Sequence, residues 1–150
     1  MVDSMNNNTI TTVSTITATD PKVELVANLY AAYGRGDIDT FVADLADDVD
    51  WAAEADSTSV PWYGHYRGRN AVPGFIQAIA MNVQVTEFTV VGMTANDTDV
   101  IATIHWSYTV NTTGKTAAMF MQHWWRIDNG QIVWFRGSED TEQSAAAFRE

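Results

Sequence analysis

From Thr116 to Asp140 the chain reads as two apolar runs joined by Asp128-Asn129-Gly130. Asn-Gly between alternating runs predicts a β-hairpin, because glycine accepts the positive φ that a tight turn demands. Side chains alternate along a strand. One face of the first strand therefore carries Phe120, Gln122, Trp124 and Arg126, and the other Met119, Met121, His123, Trp125 and Ile127. On the second strand Val133, Phe135, Gly137 and Glu139 oppose Ile132, Trp134, Arg136 and Ser138. Large apolar groups on both faces predict that both are covered, one by the core or a pocket and the other by a partner subunit.

Earlier in the chain the period changes. Asp20-Pro21 predicts a helix start, with Asp capping free amides and Pro fitting the first turn. Val23, Val26, Ala27 and Tyr30 follow at helical spacing, and Gly34 and Gly36 end the run. Asp37 caps a second helix carrying Ile38, Phe41, Val42 and Leu45. Val49, Trp51 and Ala53 share one face of a short strand. Trp62 to Gly68 reads as an aromatic loop broken by glycine, and Asn70 as the cap of a third helix with Val72, Phe75, Ile76 and Ile79 buried. Strands are expected over 85–94 and 100–110, before the hairpin, and a short terminal helix over Thr141–Phe148, with Asp140 at its N-cap. The order predicts an α+β domain: a cone-shaped barrel of strongly curved, mixed but mainly antiparallel sheet, packed on three N-terminal helices, with an apolar mouth.

Composition narrows the partners. The 150 residues hold 8 Lys and Arg against 19 Asp and Glu, a net charge of −11. That balance, with no basic run, argues against nucleic acid and anionic membranes. With no cysteine, disulfides and thiolate metal sites are excluded. No stretch approaches the roughly 20 apolar residues of a membrane span. Residues 1–19, rich in Thr and Asn, are expected to be a disordered tail without a signal peptide, leaving one domain over 20–150. A cytoplasmic location is expected. The three histidines, His65, His105 and His123, lack paired ligand spacing, so neither a metal nor a cofactor is expected.

Three segments carry a family resemblance. They are Tyr30-Ala31-Ala32-Tyr33-Gly34-Arg35-Gly36-Asp37 through Trp51, Pro61 to Val72, and His123 to Val133 with Phe135-Arg136 through Thr141. Together they resemble the nuclear transport factor 2-like superfamily, and within it the SnoaL-like polyketide cyclase and ketosteroid isomerase branch, over roughly residues 20–149. The resemblance implies a homodimer through the convex sheet face and a small-molecule pocket. It does not carry over the best-known catalytic groups. The isomerase proton shuttle falls on Ala53, with Glu54 next to it, and the oxyanion-hole positions fall on Leu29, beside Tyr30, and Gln122. The Arg and two Asp residues of the related limonene-epoxide hydrolases fall on Thr103, His105 and near Gly137.

The candidates that remain are weighed individually. His105 is the expected general base, since a neutral imidazole can abstract a proton near neutral pH; a satisfied core histidine is the alternative. Gln122 is the expected carbonyl anchor, or else it bonds a neighbouring strand. Trp51, Trp124 and Phe135 are expected to wall the pocket. Tyr63 and His65, on the aromatic loop, are expected ligand contacts or else loop pins; Glu54 is an expected ligand contact or else a solvated carboxylate, and Glu139 an expected ligand contact or a charge partner of His105. His123, on the opposite face from Gln122, is expected to be structural. Three functions follow: a cofactor-independent isomerase or cyclase moving protons on a small carbonyl-bearing hydrophobic substrate; a non-catalytic binder of an apolar small molecule; or a dimeric scaffold without a working pocket.

Overall fold

The computed structural model describes residues 11–13 and 20–150. Helix α1 (Pro21–Gly34) starts where Asp20 accepts a hydrogen bond from the Lys22 amide at 2.8 Å, and it buries Val23, Val26, Leu29, Tyr30 and Ala32. Helix α2 (Ile38–Ala43) is capped by Asp37, which accepts from the Thr40 amide, and buries Phe41. Strand β2 (Leu45–Ala53) contains the expected strand and begins at Leu45, two residues before Asp47, so Leu45 belongs to the sheet and not to α2. The expected aromatic loop contains a further strand, β3 (Gly64–Arg67), whose tyrosine and histidine pair with Trp51 and Ala52. Asn70 lies in a 3₁₀ turn over Arg69–Ala71 and does not cap α3 (Val72–Asn82), whose N-cap is Ala71.

Long strands follow: β4 (Val83–Ala95), β5 (Asp99–Val110), β6 (Thr116–Asp128) and β7 (Gln131–Ser138). Asn129 and Gly130 both hold positive φ, 49° and 74°, so the last hairpin closes through the tight turn that Asn-Gly favours. Helix α4 (Thr141–Phe148) ends the chain, with Asp140 accepting from the Gln143 amide at 3.1 Å.

The described residues form one seven-stranded sheet in the order β1-β4-β5-β6-β7-β2-β3, where β1 is Thr11–Val13. The expected tail over 1–19 otherwise lies outside the described residues. Two pairings are parallel, β1 with β4 and β2 with β7, and the rest are antiparallel, so the sheet is mixed. It is open, not the closed and strongly curved barrel expected. Its edges, β1 and β3, have three and four residues and do not pair. Bulges in β4, between Val85 and Glu87 and between Val90 and Gly92, bend that strand locally without bringing the edges together. Among the described residues there are four α-helices, the three N-terminal ones and the terminal helix expected over Thr141–Phe148. Trp51, Trp62, Trp125, Tyr108 and Phe135 are the largest side chains sealed in the core.

Candidate functional site

The strand faces decide where a ligand can go. On β6, Ala117, Met119, Met121, Trp125 and Ile127 are buried, whereas Phe120, Gln122, Trp124 and Arg126 lie on the open side. The inward face is therefore the one with a single polar residue, His123. On β5, Ala102, Ile104, Trp106, Tyr108 and Val110 point inward, and His105 alternates outward among Thr103, Ser107 and Thr109. On β7, Phe135, Gly137 and Glu139 share the inward side.

Between this face and the helices lies a cavity with about 670 Å³ of atom-free space, counted out to its open mouth. Tyr30 and Tyr33 of α1, Trp51 of β2, Phe75 and Ile79 of α3, and Phe135 of β7 supply most of its apolar wall. Trp51 stacks on Phe135 with ring centres 3.9 Å apart, and Trp125 meets Phe135 at 4.6 Å. Ala53 of β2 also lines the cavity.

Glu139 and His123 are the carboxyl and imidazole groups in this wall. Glu139, just beyond the end of β7, has both carboxylate oxygens engaged. Trp62 Nε1 donates to Oε1 at 2.9 Å, Tyr63 Oη donates to Oε2 at 3.0 Å, and Ser144 Oγ of α4 also donates to Oε2. Ser144 in turn accepts from Tyr108 Oη at 2.8 Å. Burial pushes the Glu139 carboxyl above its ordinary range, and its three donors oppose that rise. Burial and the neighbouring Glu139 charge also push the Tyr63 phenol up.

The second group is His123. Its Nδ1 lies 2.7 Å from Tyr30 Oη, and Trp125 Nε1 donates to that same oxygen at 3.1 Å. Burial depresses the imidazole pKa to about 3, so the ring is neutral at physiological pH. Burial also drives the Tyr30 phenol upward and pushes Tyr33 up to about 12. Both tyrosines thus remain protonated donors. Gly137 opposes His123 across the β6–β7 pair, and a Cβ there would sit 3.7 Å from His123 Cδ2.

Several expected contacts lie elsewhere. His105 and Gln122 are on the outer face of the sheet, away from the cavity. His105 Nδ1 lies 2.9 Å from Glu87 Oε2, and its ring meets Phe120 edge-on at 4.9 Å. Gln122 is exposed. The inversion follows from strand alternation, since placing the pocket on the Gln122 side moves every β6 side chain to the wrong face. Trp124 is also outward, donating to Asp99 Oδ2 at 2.6 Å. Glu54 and His65 are exposed beside each other, with Arg136 Nε donating to Glu54 at 2.9 Å. Met119, Met121, Trp125 and Ile127, on the His123 face, are the ones covered by the core. Trp51, Phe135 and Glu139 do line the cavity, and Tyr63 reaches it through Glu139.

Tyr30, Trp62, Ser144 and the inward orientation of His123 were not singled out from sequence. The orientation had a signal. The inward face of β6 carries one polar residue, whereas the other carries Gln122, Arg126 and both terminal residues, Thr116 and Asp128. Ser144 had none, because nothing local marks a helix serine as a partner of a strand-end carboxylate. Among the described residues no group of three His, Asp or Glu is placed to hold a metal ion, and no helix is long and apolar enough to cross a membrane.

A family model described as the SnoaL-like domain matches residues 26–135. The fold recurs in solved structures. A nuclear transport factor 2-like protein of Burkholderia thailandensis is 28% identical, with a TM-score of 0.76 over 85% of this chain and 96% of that one. A nuclear transport factor 2-like protein of unknown function from Burkholderia pseudomallei is 21% identical, with a TM-score of 0.79 over 88% and 100%. TerC, co-crystallised with polyporic acid, is 16% identical with a TM-score of 0.77 over 87% and 100%. No curated protein matches the chain.

Proposed function

The chain belongs to the SnoaL-like domain family, and from that membership and the cavity we propose that it is a cofactor-independent isomerase or cyclase, moving protons on a small, carbonyl-bearing hydrophobic substrate. One observation carries this reading: Glu139 is a partly desolvated carboxylate held in a largely apolar cavity. A carboxyl raised toward neutrality is a better general base than a solvated one, and donors fixed around it hold its orientation. In the proposed step Glu139 removes a proton from the carbon next to the substrate carbonyl. The C–H electron pair becomes the enolate double bond, and the charge that develops on oxygen is steadied by a hydrogen bond from His123. Return of the proton to another carbon of the conjugated system gives an isomer. Attack of the enolate carbon on a second carbonyl, with the proton delivered to the new alkoxide, closes a ring.

A non-catalytic binder is the second reading. It is favoured by the three protein donors already engaging Glu139, an arrangement that also suits a purely structural strut. In either reading the partner is a small apolar molecule. The homodimer would use the outer sheet face, where Phe120 is 61% and Trp124 41% exposed.

The test is native mass spectrometry of the purified protein, then thermal-shift screening with steroids, flat polyketides, terpenoids and polyporic acid, since bound ligand raises the melting temperature by mass action. Any ligand found is then offered as substrate to wild type and Glu139→Gln. The enzyme reading requires turnover that Glu139→Gln loses while still binding; turnover undiminished in Glu139→Gln would sink it, and binding without turnover would establish the binder.

A further inference from the structure

We infer that Tyr30 and Trp125 fix His123 as its Nε2–H tautomer, so that the imidazole presents a hydrogen-bond donor to the cavity. This rests on the reading of the cavity as a ligand site, although the proton count that leads to it does not. Indole nitrogen only donates, so Trp125 Nε1, 3.1 Å from Tyr30 Oη, must give its hydrogen to that oxygen. The phenol has one hydrogen of its own. Among the described residues its only possible acceptor is His123 Nδ1, at 2.7 Å. If Nδ1 carried the proton instead, Tyr30 Oη would accept twice and its own O–H would be buried without an acceptor, which costs on the order of 1–3 kcal/mol. The chain therefore runs one way, from Trp125 to Tyr30 to Nδ1, and the proton of the neutral imidazole sits on Nε2.

Nε2 has no protein partner among the described residues, yet it is not sealed. Among the described residues the buried side-chain donors left unpaired are the indole nitrogens of Trp51 and Trp106, and His123 is not among them. The free edge of the ring therefore opens on the cavity it lines. Gly137, opposite it, adds no side chain of its own, and the neighbour there is the apolar Phe135 ring, edge-on at 5.0 Å, which offers Nε2–H no acceptor. A neutral donor fixed in this way matches an acceptor oxygen on an uncharged ligand. Tyr30 and Trp125 act through His123 and are positioning residues.

The experiment is ¹⁵N-detected NMR of the imidazole rings in the whole protein at neutral pH. The chain has three histidines, and His123→Gln identifies which signals belong to this ring. In the wild type His123 is expected as one tautomer, with Nε2 protonated and Nδ1 bare. Tyr30→Phe removes the hydrogen that Nδ1 accepts and is expected to populate both tautomers. Trp125→Phe frees the Tyr30 oxygen to accept from Nδ1–H and is expected to shift the ring toward the other tautomer. A backbone amide spectrum checks that each variant is folded, and either variant alone suffices. A wild-type proton on Nδ1, or a folded Tyr30→Phe whose tautomer is unchanged, overturns the inference. No ligand is needed, so failure to find turnover on Glu139 would leave this result standing.

Discussion

Trp62 and Glu139 lie 77 positions apart, and the indole nitrogen of one donates to the carboxylate of the other at 2.9 Å. The bond ties the segment before β3 to the end of β7, and it places a carboxylate at the cavity wall. With Tyr63 and Ser144 it completes a set of three donors on one half-buried acid.

Removing the acid should cost most of the turnover. General-base groups typically contribute about 10²- to 10⁴-fold, so Glu139→Gln is expected to lower kcat by at least about 100-fold with little change in binding. Comparison of kcat and ligand Kd for the two proteins is the check.

Ser144→Ala should move the pH dependence in a defined direction. The Ser144 bond lowers the Glu139 pKa against the dominant effect of burial. Without it the carboxyl stays protonated to higher pH, so the acid limb of the kcat/KM profile is expected to shift upward. A profile that does not move would show that this hydroxyl does not tune the acid.

His105→Ala should leave turnover within about twofold of wild type, since positions away from a site rarely alter its chemistry. The reason is placement: His105 pairs with Glu87 on the outer sheet face and does not line the cavity. A large loss of activity in a folded His105→Ala would contradict the inward assignment of β5.

His123 should make the protein acid-sensitive above the carboxylate range. Its pKa falls from the ordinary 6.5 to about 3 on folding, so the unfolded chain binds a proton that the native state refuses. That stability is fully present above about pH 6.5 and is lost as pH falls toward 3, with a slope of at most about 1.4 kcal/mol per pH unit. Glu139, raised above 4.5, acts with the opposite sign, and Asp99, held near 2 by Arg126, adds loss only below about 3.8. Denaturant titrations from pH 7 to 4.5 should therefore show a fall in stability that His123→Gln flattens.

Phe120→Asp should dissociate the proposed dimer without unfolding the protomer. The side chain is 61% exposed in the single chain, so a carboxylate there costs little fold stability. At an aromatic interface it leaves a charge desolvated. Light scattering of both proteins reads the difference; equal masses for wild type and variant would move the interface elsewhere.

Local chemistry was legible in the sequence wherever it was self-contained. Asp20, Asp37 and Asp140 cap their helices as their positions predict, and Asn129-Gly130 closes the hairpin, because each depends on groups a few residues away. Strand alternation separated Gln122 from His123 correctly. Which of the two faces the helices was a tertiary matter. Aromatics occur on both faces of β6, and only the packing of Met121 and Trp125 against β7 and the helices, with Trp124 left on Asp99 outside, resolves it. The same holds for the closure of the sheet, whose edges depend on pairings between strands distant in sequence. It holds for Glu139 as well. Nothing local marks an acid at a strand end as held, until Trp62 and Tyr63 from one distant segment and Ser144 from the following helix converge on it.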